Sequence, residues 1–140
     1  MNFSELLIDL ASGTNAIIRY RASKFNLTTS QALHLLSVPF DGISMSRLAF
    51  RLGLSTSTLT RNIQKLEALL LVLRHRDTFD KRVQRIKLTT KGDQIVQALE
   101  IDLNQHNQIV LEHIDIDSQV HLTTTLEKLV WAMECSREDI

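Results

Sequence analysis

The sequence has little of what turns, disulfides and long strands require. Its 140 residues include one proline, four glycines, one cysteine and only 5% aromatic residues. That composition leaves few turns and few long strands to form, whereas 44% hydrophobic residues suffice for the core of one compact domain. The composition therefore predicts a mainly α-helical protein.

Two further absences concern where the protein works. No stretch approaches the roughly eighteen unbroken apolar residues of a bilayer span, and no basic segment precedes an apolar run at the N-terminus. We therefore expect a protein that is neither exported nor membrane-bound. The single cysteine, Cys135, cannot form an intramolecular disulfide, which fits a reducing cytoplasm.

The net charge is zero, but the charges are segregated along the chain. Residues 1–92 hold 14 Lys/Arg against 6 Asp/Glu, whereas residues 93–140 hold 2 against 10. The first part therefore attracts phosphate and the second repels it, as expected when a nucleic-acid face is held away from an acidic body. A solvated surface explains the same pattern, so charge alone does not decide.

The beginning of the chain predicts two amphipathic helices. The first covers residues 3–22 and starts with a capping box from Asn2 to Glu5. The second starts at Thr28 and stops before Pro39, because the residue before a proline disfavours helical geometry.

The next segment predicts two short helices joined by a tight turn. Ser44 can cap a helix over residues 45–52, Gly53 permits the turn, and Ser55 can cap the following helix. Apolar residues recur at spacings of four, three and four, which assigns one face of that helix to the core: Leu59, Ile63, Leu66 and Leu70. The pattern is that of a helix-turn-helix.

The opposite face of the second short helix is polar and cationic. It carries Thr56, Ser57, Thr60, Arg61, Gln64 and Lys65. An α-helix fits the major groove of DNA, where arginine pairs with guanine and glutamine with adenine. Arg61 and Gln64 are therefore candidates for contact with bases. The plainer explanation of this polar face is an ordinary solvated surface.

A basic β-hairpin is predicted directly after the helix-turn-helix. Its strands begin at Val72 and Arg85, and a polar tip covers residues 77–84. Seven Lys/Arg lie between Arg74 and Lys91, which suits phosphate contact or entry into the minor groove. A helix-turn-helix with such a hairpin is a winged helix.

Two more helices complete the predicted order. Thr89 or Thr90 starts a long helix that ends near Ile114, and Asp115 or Asp117 starts a last helix.

Several fragments of the chain resemble the MarR family of transcription regulators in order and spacing. They read Leu27-Thr28-Thr29-Ser30-Gln31, Leu48-Ala49, Gly53-Leu54-Ser55, Leu59-Thr60-Arg61, Leu66-Glu67, Asp80-Lys81-Arg82 and Leu88-Thr89-Thr90-Lys91-Gly92. The resemblance implies a single domain over residues 1–140. Residues 28–92 would form the winged helix-turn-helix DNA-binding lobe, and residues 1–25 and 93–140 the dimerisation helices.

The resemblance also implies roles for single residues. Asp80 would orient the wing tip, Arg82 would enter the minor groove, and Arg74 would contact the DNA backbone. With the helix face, the predicted DNA-binding residues are Ser55, Thr56, Ser57, Thr60, Arg61, Gln64, Lys65, Arg74, Asp80, Lys81, Arg82 and Arg85. The expected partners are double-stranded DNA, on which the protein would act as a repressor, a second copy of the chain and an unidentified small-molecule effector.

One position departs from the family pattern. Where the family usually has glycine after the recognition helix, this chain has Leu70. If that site needs a left-handed backbone, leucine costs on the order of 1 kcal/mol, or the helix ends differently and reorients the wing.

Other functions are less well supported. The sequence has no glycine-rich phosphate loop, no GxSxG and no Cys/His pair at a recognised spacing. We therefore expect that the protein is not an enzyme and binds no cofactor. His106 and His113 lie two helical turns apart without an HxxxH pair, and Cys135 has acidic neighbours that disfavour a thiolate. Neither a metal site nor a redox switch is therefore expected. A winged-helix adaptor that binds another protein remains the alternative.

Overall fold

The computed structural model describes residues 1–138, which form six helices and three short strands. The helices are α1 Phe3–Ser23, α2 Thr29–Leu36, α3 Met45–Leu52, α4 Thr56–Ala68, α5 Thr90–Leu111 and α6 Ile116–Glu138, and the strands are β1 Ile43–Ser44, β2 Val72–Arg76 and β3 Gln84–Leu88. This order confirms the predicted mainly helical winged helix-turn-helix class.

The chain divides into two compact units, one over Met1–Leu103 and one that begins at Asn104. The whole predicted DNA-binding lobe, residues 28–92, lies in the first unit. The predicted dimerisation segment 93–140 begins in the first unit, and its last two residues lie outside the described ones.

Side-chain caps start the helices where the sequence predicted. Asn2 and Glu5 form a capping box at α1, as Thr28 and Gln31 do at α2. The hydroxyl of Ser44 accepts a hydrogen bond from the backbone N–H of Arg47 at the start of α3. Each cap satisfies a backbone N–H that has no partner within its helix.

The three strands form one small antiparallel sheet in the order β1-β3-β2. In the hairpin, Val72 pairs with Leu88 and Arg76 with Gln84, and β1 adds to the other side of β3 through Ile43 opposite Ile86. Strand β1 is not among the elements predicted from the sequence. Its pairing joins the start of α3 to the hairpin, so the sheet connects the helix-turn-helix to the wing.

The core of the first unit lies between the helices and this sheet. Its largest fully buried side chains are Leu35, Leu48, Leu59, Ile63, Leu66, Leu71, Ile86 and Leu99. The backbone approaches closely at Gly92, where a Cβ would overlap the carbonyl oxygen of Leu71. Only glycine fits there without moving the start of α5.

The end of α4 corrects one prediction. The helical spacing predicts Leu70 on the core face, but α4 ends at Ala68, and Leu70 is 68% exposed with a left-handed backbone (φ 62°). The N–H of Leu71 donates to the carbonyl of Leu66 and that of Leu70 to Glu67, a Schellman ending. The helix therefore ends in the usual geometry, with leucine where glycine is favoured.

The second unit contains the end of α5 and all of α6. Helix α5 ends at Leu111, three residues before the predicted position. Asp115 starts α6 by accepting hydrogen bonds from the N–H and the hydroxyl of Ser118. None of the described residues of α6 is buried.

Candidate nucleic-acid interface

Helix α4 is fixed to the first unit by three leucine and isoleucine side chains. Leu59, Ile63 and Leu66 are each at most 1% exposed, and they lie on one face of the helix. The hydroxyl of Ser55 accepts a hydrogen bond from the N–H of Thr58 and caps the helix start. The spacing of these buried residues and the cap at Ser55 together determine which side of α4 faces solvent.

The solvent side of α4 is the predicted polar face. Exposed side chains on this face and at its cap are Ser55, Thr56, Ser57, Arg61, Gln64 and Lys65. Arg61, Gln64 and Lys65 border one open groove of about 540 Å³. Thr60 differs, because it is half-buried and its hydroxyl donates to the carbonyl of Thr56 at 2.8 Å. The Thr60 hydroxyl can therefore only accept a hydrogen bond from a ligand.

Two arginines in the strands of the wing are bound to acidic side chains. Arg74 Nε lies 3.0 Å from Glu67 Oε1, so the first strand of the wing is tied to the end of α4. Arg85 Nη1 lies 3.7 Å from Asp77 Oδ1. Both arginines are half-buried. They are held close to the protein, whereas Lys81 and Arg82 at the tip are exposed.

The wing tip is an ordered turn built around two aspartates. Asp77 Oδ2 accepts hydrogen bonds from the N–H groups of Phe79 and Asp80, each at 2.9 Å. The backbone closes the tip where Asp77 N–H donates to Val83 and Val83 N–H donates to Asp80. Arg76 reaches across the turn and donates to the carbonyl of Lys81.

Asp80 holds the side chain of Arg82 in a two-point ion pair. Arg82 Nε donates to Oδ1 and Nη2 to Oδ2, both at 3.1 Å, while the Arg82 N–H also donates to Oδ1. These bonds from Arg82 lower the pKa of the Asp80 carboxyl below its ordinary value. The arginine side chain remains 91% exposed. The pair thus presents an oriented guanidinium to solvent.

Asp77 is stabilised as a carboxylate in the same turn. The backbone N–H groups of Asp80 and Phe79 lower its pKa, and the charge of Arg85 adds to the effect. Both tip carboxylates are therefore ionised at neutral pH, and their charges are engaged in shaping the turn rather than free to repel phosphate.

The structure thus brings the predicted residues into two groups within the first unit. One is the exposed face of α4, and the other is the wing tip with Asp80, Lys81 and Arg82. Phe79, directly before Asp80 at the wing tip and 98% exposed, is not among the predicted residues. An aromatic residue inside a polar turn is the signal that would have found it.

Other candidate sites have less support. Among residues 1–138, no three His, Cys, Asp or Glu side chains are grouped so that they could hold a metal ion. Cys135 is half-buried and carries a free thiol. None of the helices within this range combines the length and the apolar character that a membrane crossing needs.

Both the sequence and the fold of the chain are similar to those of known proteins. Residues 24–83, from before α2 to the wing tip, match the sequence profile of the MarR family. The fold is similar to a crystal structure of MarR, with 18% identity, a TM-score of 0.84 and coverage of 100% of this chain and 96% of that one.

Two further structures have similar folds over nearly their whole lengths. The transcriptional regulator SlyA has 24% identity and a TM-score of 0.81, covering 99% of this chain and 98% of SlyA. MepR of S. aureus, crystallised in complex with DNA, has 21% identity and a TM-score of 0.75, covering 94% and 98%. The segment over residues 24–83 thus matches the MarR family, and the chain as a whole has the winged helix-turn-helix fold of these structures.

Proposed function

We propose that the protein is a sequence-specific DNA-binding transcription regulator that acts as a homodimer and represses its target. One observation carries this function: the exposed polar face of α4 and the oriented Arg82 at the wing tip belong to one compact unit. The Glu67–Arg74 ion pair and the β1-β3-β2 sheet connect the two. Such a pair of elements fits adjacent grooves of a duplex.

Helix α4 supplies the chemistry for reading bases in the major groove. Arg61 offers two parallel donors to guanine, and the amide of Gln64 offers a donor and an acceptor to adenine. The hydroxyls of Thr56 and Ser57 lie in the first turn of the helix, where the backbone N–H groups and the helix dipole favour a phosphate. We assign phosphate contact to this end and base contact to the middle of α4.

The wing supplies the contact in the minor groove. Two of the five N–H donors of the Arg82 guanidinium are engaged by Asp80, so three remain for acceptors on the DNA. The negative potential of a narrow minor groove favours such a cation. Lys81, exposed beside it, suits a neighbouring phosphate.

Exposed apolar side chains support the dimer. In α1 they are Phe3, Leu6, Ile8 and Leu10, and in α6 they are Ile116, Val120, Val130, Trp131 and Met133. Large apolar surfaces of this kind are usually covered by a partner, and an identical chain is the partner that the family resemblance implies. Two copies related by a twofold axis would bind half-sites about 34 Å apart.

Selection of duplexes from random DNA, followed by affinity measurement on the selected site, tests the function. Arg82→Ala should weaken binding to all sequences, and Gln64→Ala should change the preferred bases. Lys128→Ala removes a cation from α6 and serves as the control, with unchanged affinity. Selection of no sequence, or equal affinity of all three variants, would contradict the proposal.

Salt dependence separates DNA binding from the adaptor alternative. DNA affinity should fall steeply with rising salt because bound phosphates release counterions, whereas an apolar protein contact responds weakly. Sizing at low concentration tests the dimer, and a monomer that binds a two-half-site duplex tightly would refute it. Transcription from a promoter that carries the selected site distinguishes repression from activation.

A further inference from the structure

Phe79 is the most exposed large apolar side chain among residues 1–138. It is 98% exposed, compared with 84% for Phe40, the next in rank. Both are phenylalanines on loops, but Phe79 lies at the tip of the wing, three residues before Arg82. Single exposed apolar residues are common on protein surfaces, but the backbone of this one is held in a fixed position.

The backbone that carries Phe79 is fixed by its neighbours. Its own N–H donates to Asp77 Oδ2 at 2.9 Å, and the next N–H along the chain, of Asp80, donates to the same oxygen. The N–H of Asp77 also donates to the carbonyl of Val83, and the carbonyl of Asp80 accepts from the N–H of Val83. The ring is therefore carried on a closed, ordered turn, and this turn leaves it in solvent.

The charged groups around the ring indicate the kind of surface that it can contact. Lys81 and Arg82 are exposed in the same turn, and the carboxylates of Asp77 and Asp80 are engaged within it. A matching surface must be anionic around an apolar strip. The minor groove of DNA has this character, because phosphates flank its walls of deoxyribose C–H groups, and apolar side chains are known to wedge into it.

We infer that Phe79 is a DNA-contacting residue that packs against deoxyribose in the minor groove beside Arg82. The inference rests on the proposed function and extends it from a charge contact to an apolar one. Burying the ring removes apolar area from water and releases no counterion. Phe79 thus adds affinity that does not depend on salt, whereas Arg82 adds affinity that does.

This difference defines the experiment. Affinity for the selected duplex is measured between about 50 and 200 mM salt for the wild type, Phe79→Ala, Arg82→Ala and Phe40→Ala. Phe79→Ala should weaken binding about tenfold at every salt concentration with an unchanged slope. Arg82→Ala should weaken binding and reduce the slope by about one. Phe40→Ala, the same substitution at an exposed loop outside the wing, should match the wild type.

Phe79→Leu provides the complementary variant, because it keeps an apolar side chain and should retain much of the affinity. Far-UV circular dichroism and thermal unfolding confirm that each variant is folded. Wild-type affinity of Phe79→Ala would overturn the inference, as would a reduced slope, which would mean that the substitution acts through Arg82. A wild type that does not bind DNA would overturn the proposed function itself, a distinct result.

Discussion

The buried imidazole of His34 is hydrogen-bonded to Asn62 on the solvent-facing helix α4. His34 is 3% exposed, its Nδ1 lies 2.6 Å from the carbonyl oxygen of Ser30, and its Nε2 lies 3.1 Å from Asn62 Nδ2. A carbonyl can only accept, so in the neutral ring Nδ1–H donates to Ser30 and Nε2 accepts from the amide of Asn62. Asn62 lies between Arg61 and Gln64 in α4, so this contact joins α2 to α4 and fixes the rotation of the exposed polar face of α4.

Breaking this hydrogen bond should lower both the stability of the protein and its preference for particular bases. We expect His34→Leu to lower the free energy of unfolding by about 1–3 kcal/mol, because the amide of Asn62 loses its buried partner. Urea unfolding measures the loss. Selection from random DNA with the same variant should show a weaker preference at the base that we propose Gln64 contacts.

A double-mutant cycle isolates the pair. Asn62→Leu alone leaves Nε2 without its donor, whereas the combined variant leaves neither group unpaired. The combined loss of stability should therefore be smaller than the sum of the two single losses. Strict additivity would show that the hydrogen bond contributes nothing.

Leu70 should be a site of stored backbone strain. Its φ of 62° is a left-handed conformation that glycine adopts without cost. We expect Leu70→Gly to raise the free energy of unfolding by about 1 kcal/mol. Leu70→Ala keeps the Cβ that causes the strain and is the matched control, which should gain nothing. Equal stability of the two variants would mean that the strain is not relieved by removing Cβ.

Gly92 should be intolerant of any side chain. A Cβ there would overlap the backbone oxygen of Leu71, which also accepts the N–H of Thr89. Gly92→Ala should therefore destabilise the protein by about 1–3 kcal/mol, even though alanine is the better helix former. Thermal unfolding compares it with Gln94→Ala, an exposed site two residues along the same helix. A stabilised Gly92→Ala would contradict the close approach.

The wing tip should keep its charges through the whole physiological pH range. Asp80 has a folded-state pKa below its ordinary value of 3.8. The pair with Arg82 therefore stabilises the tip above about pH 3.8 and is lost as the pH falls through the lowered folded-state pKa. Carboxyl-carbon NMR should show a flat Asp80 shift from about pH 5 to 8 and titration only in acid.

Arg82→Ala provides the control for that titration. Because Arg82 donates the bonds that lower the pKa of Asp80, its removal should raise this pKa towards 3.8. An Asp80 midpoint that is the same in both proteins would show that the guanidinium does not hold the carboxylate.

The parts of the fold that local chemistry decides could be predicted from the sequence. Asn2, Thr28, Ser44 and Ser55 begin helices because a side-chain oxygen can satisfy nearby N–H groups, which needs only a few neighbouring residues. Strand β1 could not be predicted, because two residues show no alternation and depend on β3 for pairing.

Leu70 shows where periodicity misleads. It lies four residues after Leu66 and fits the helical spacing, so periodicity alone assigns it to the core face. Only the family resemblance, which has glycine at this position, points to a left-handed ending. In the site, the exposed face of α4 followed from the spacing of its buried residues. The engagement of Arg74 by Glu67 depends on tertiary geometry and could not be predicted, whereas Phe79 could have been found as an aromatic residue within a polar turn.

The hairpin register has a consequence for how the wing can vary. Val72 to Arg76 pair fully with Gln84 to Leu88, and the backbone between Asp77 and Val83 closes the tip independently. Residues 77–83 thus form a turn whose length can differ without changing the pairing of the two strands. A longer or shorter turn would change how far the wing extends from the first unit and would leave helix α4 in place.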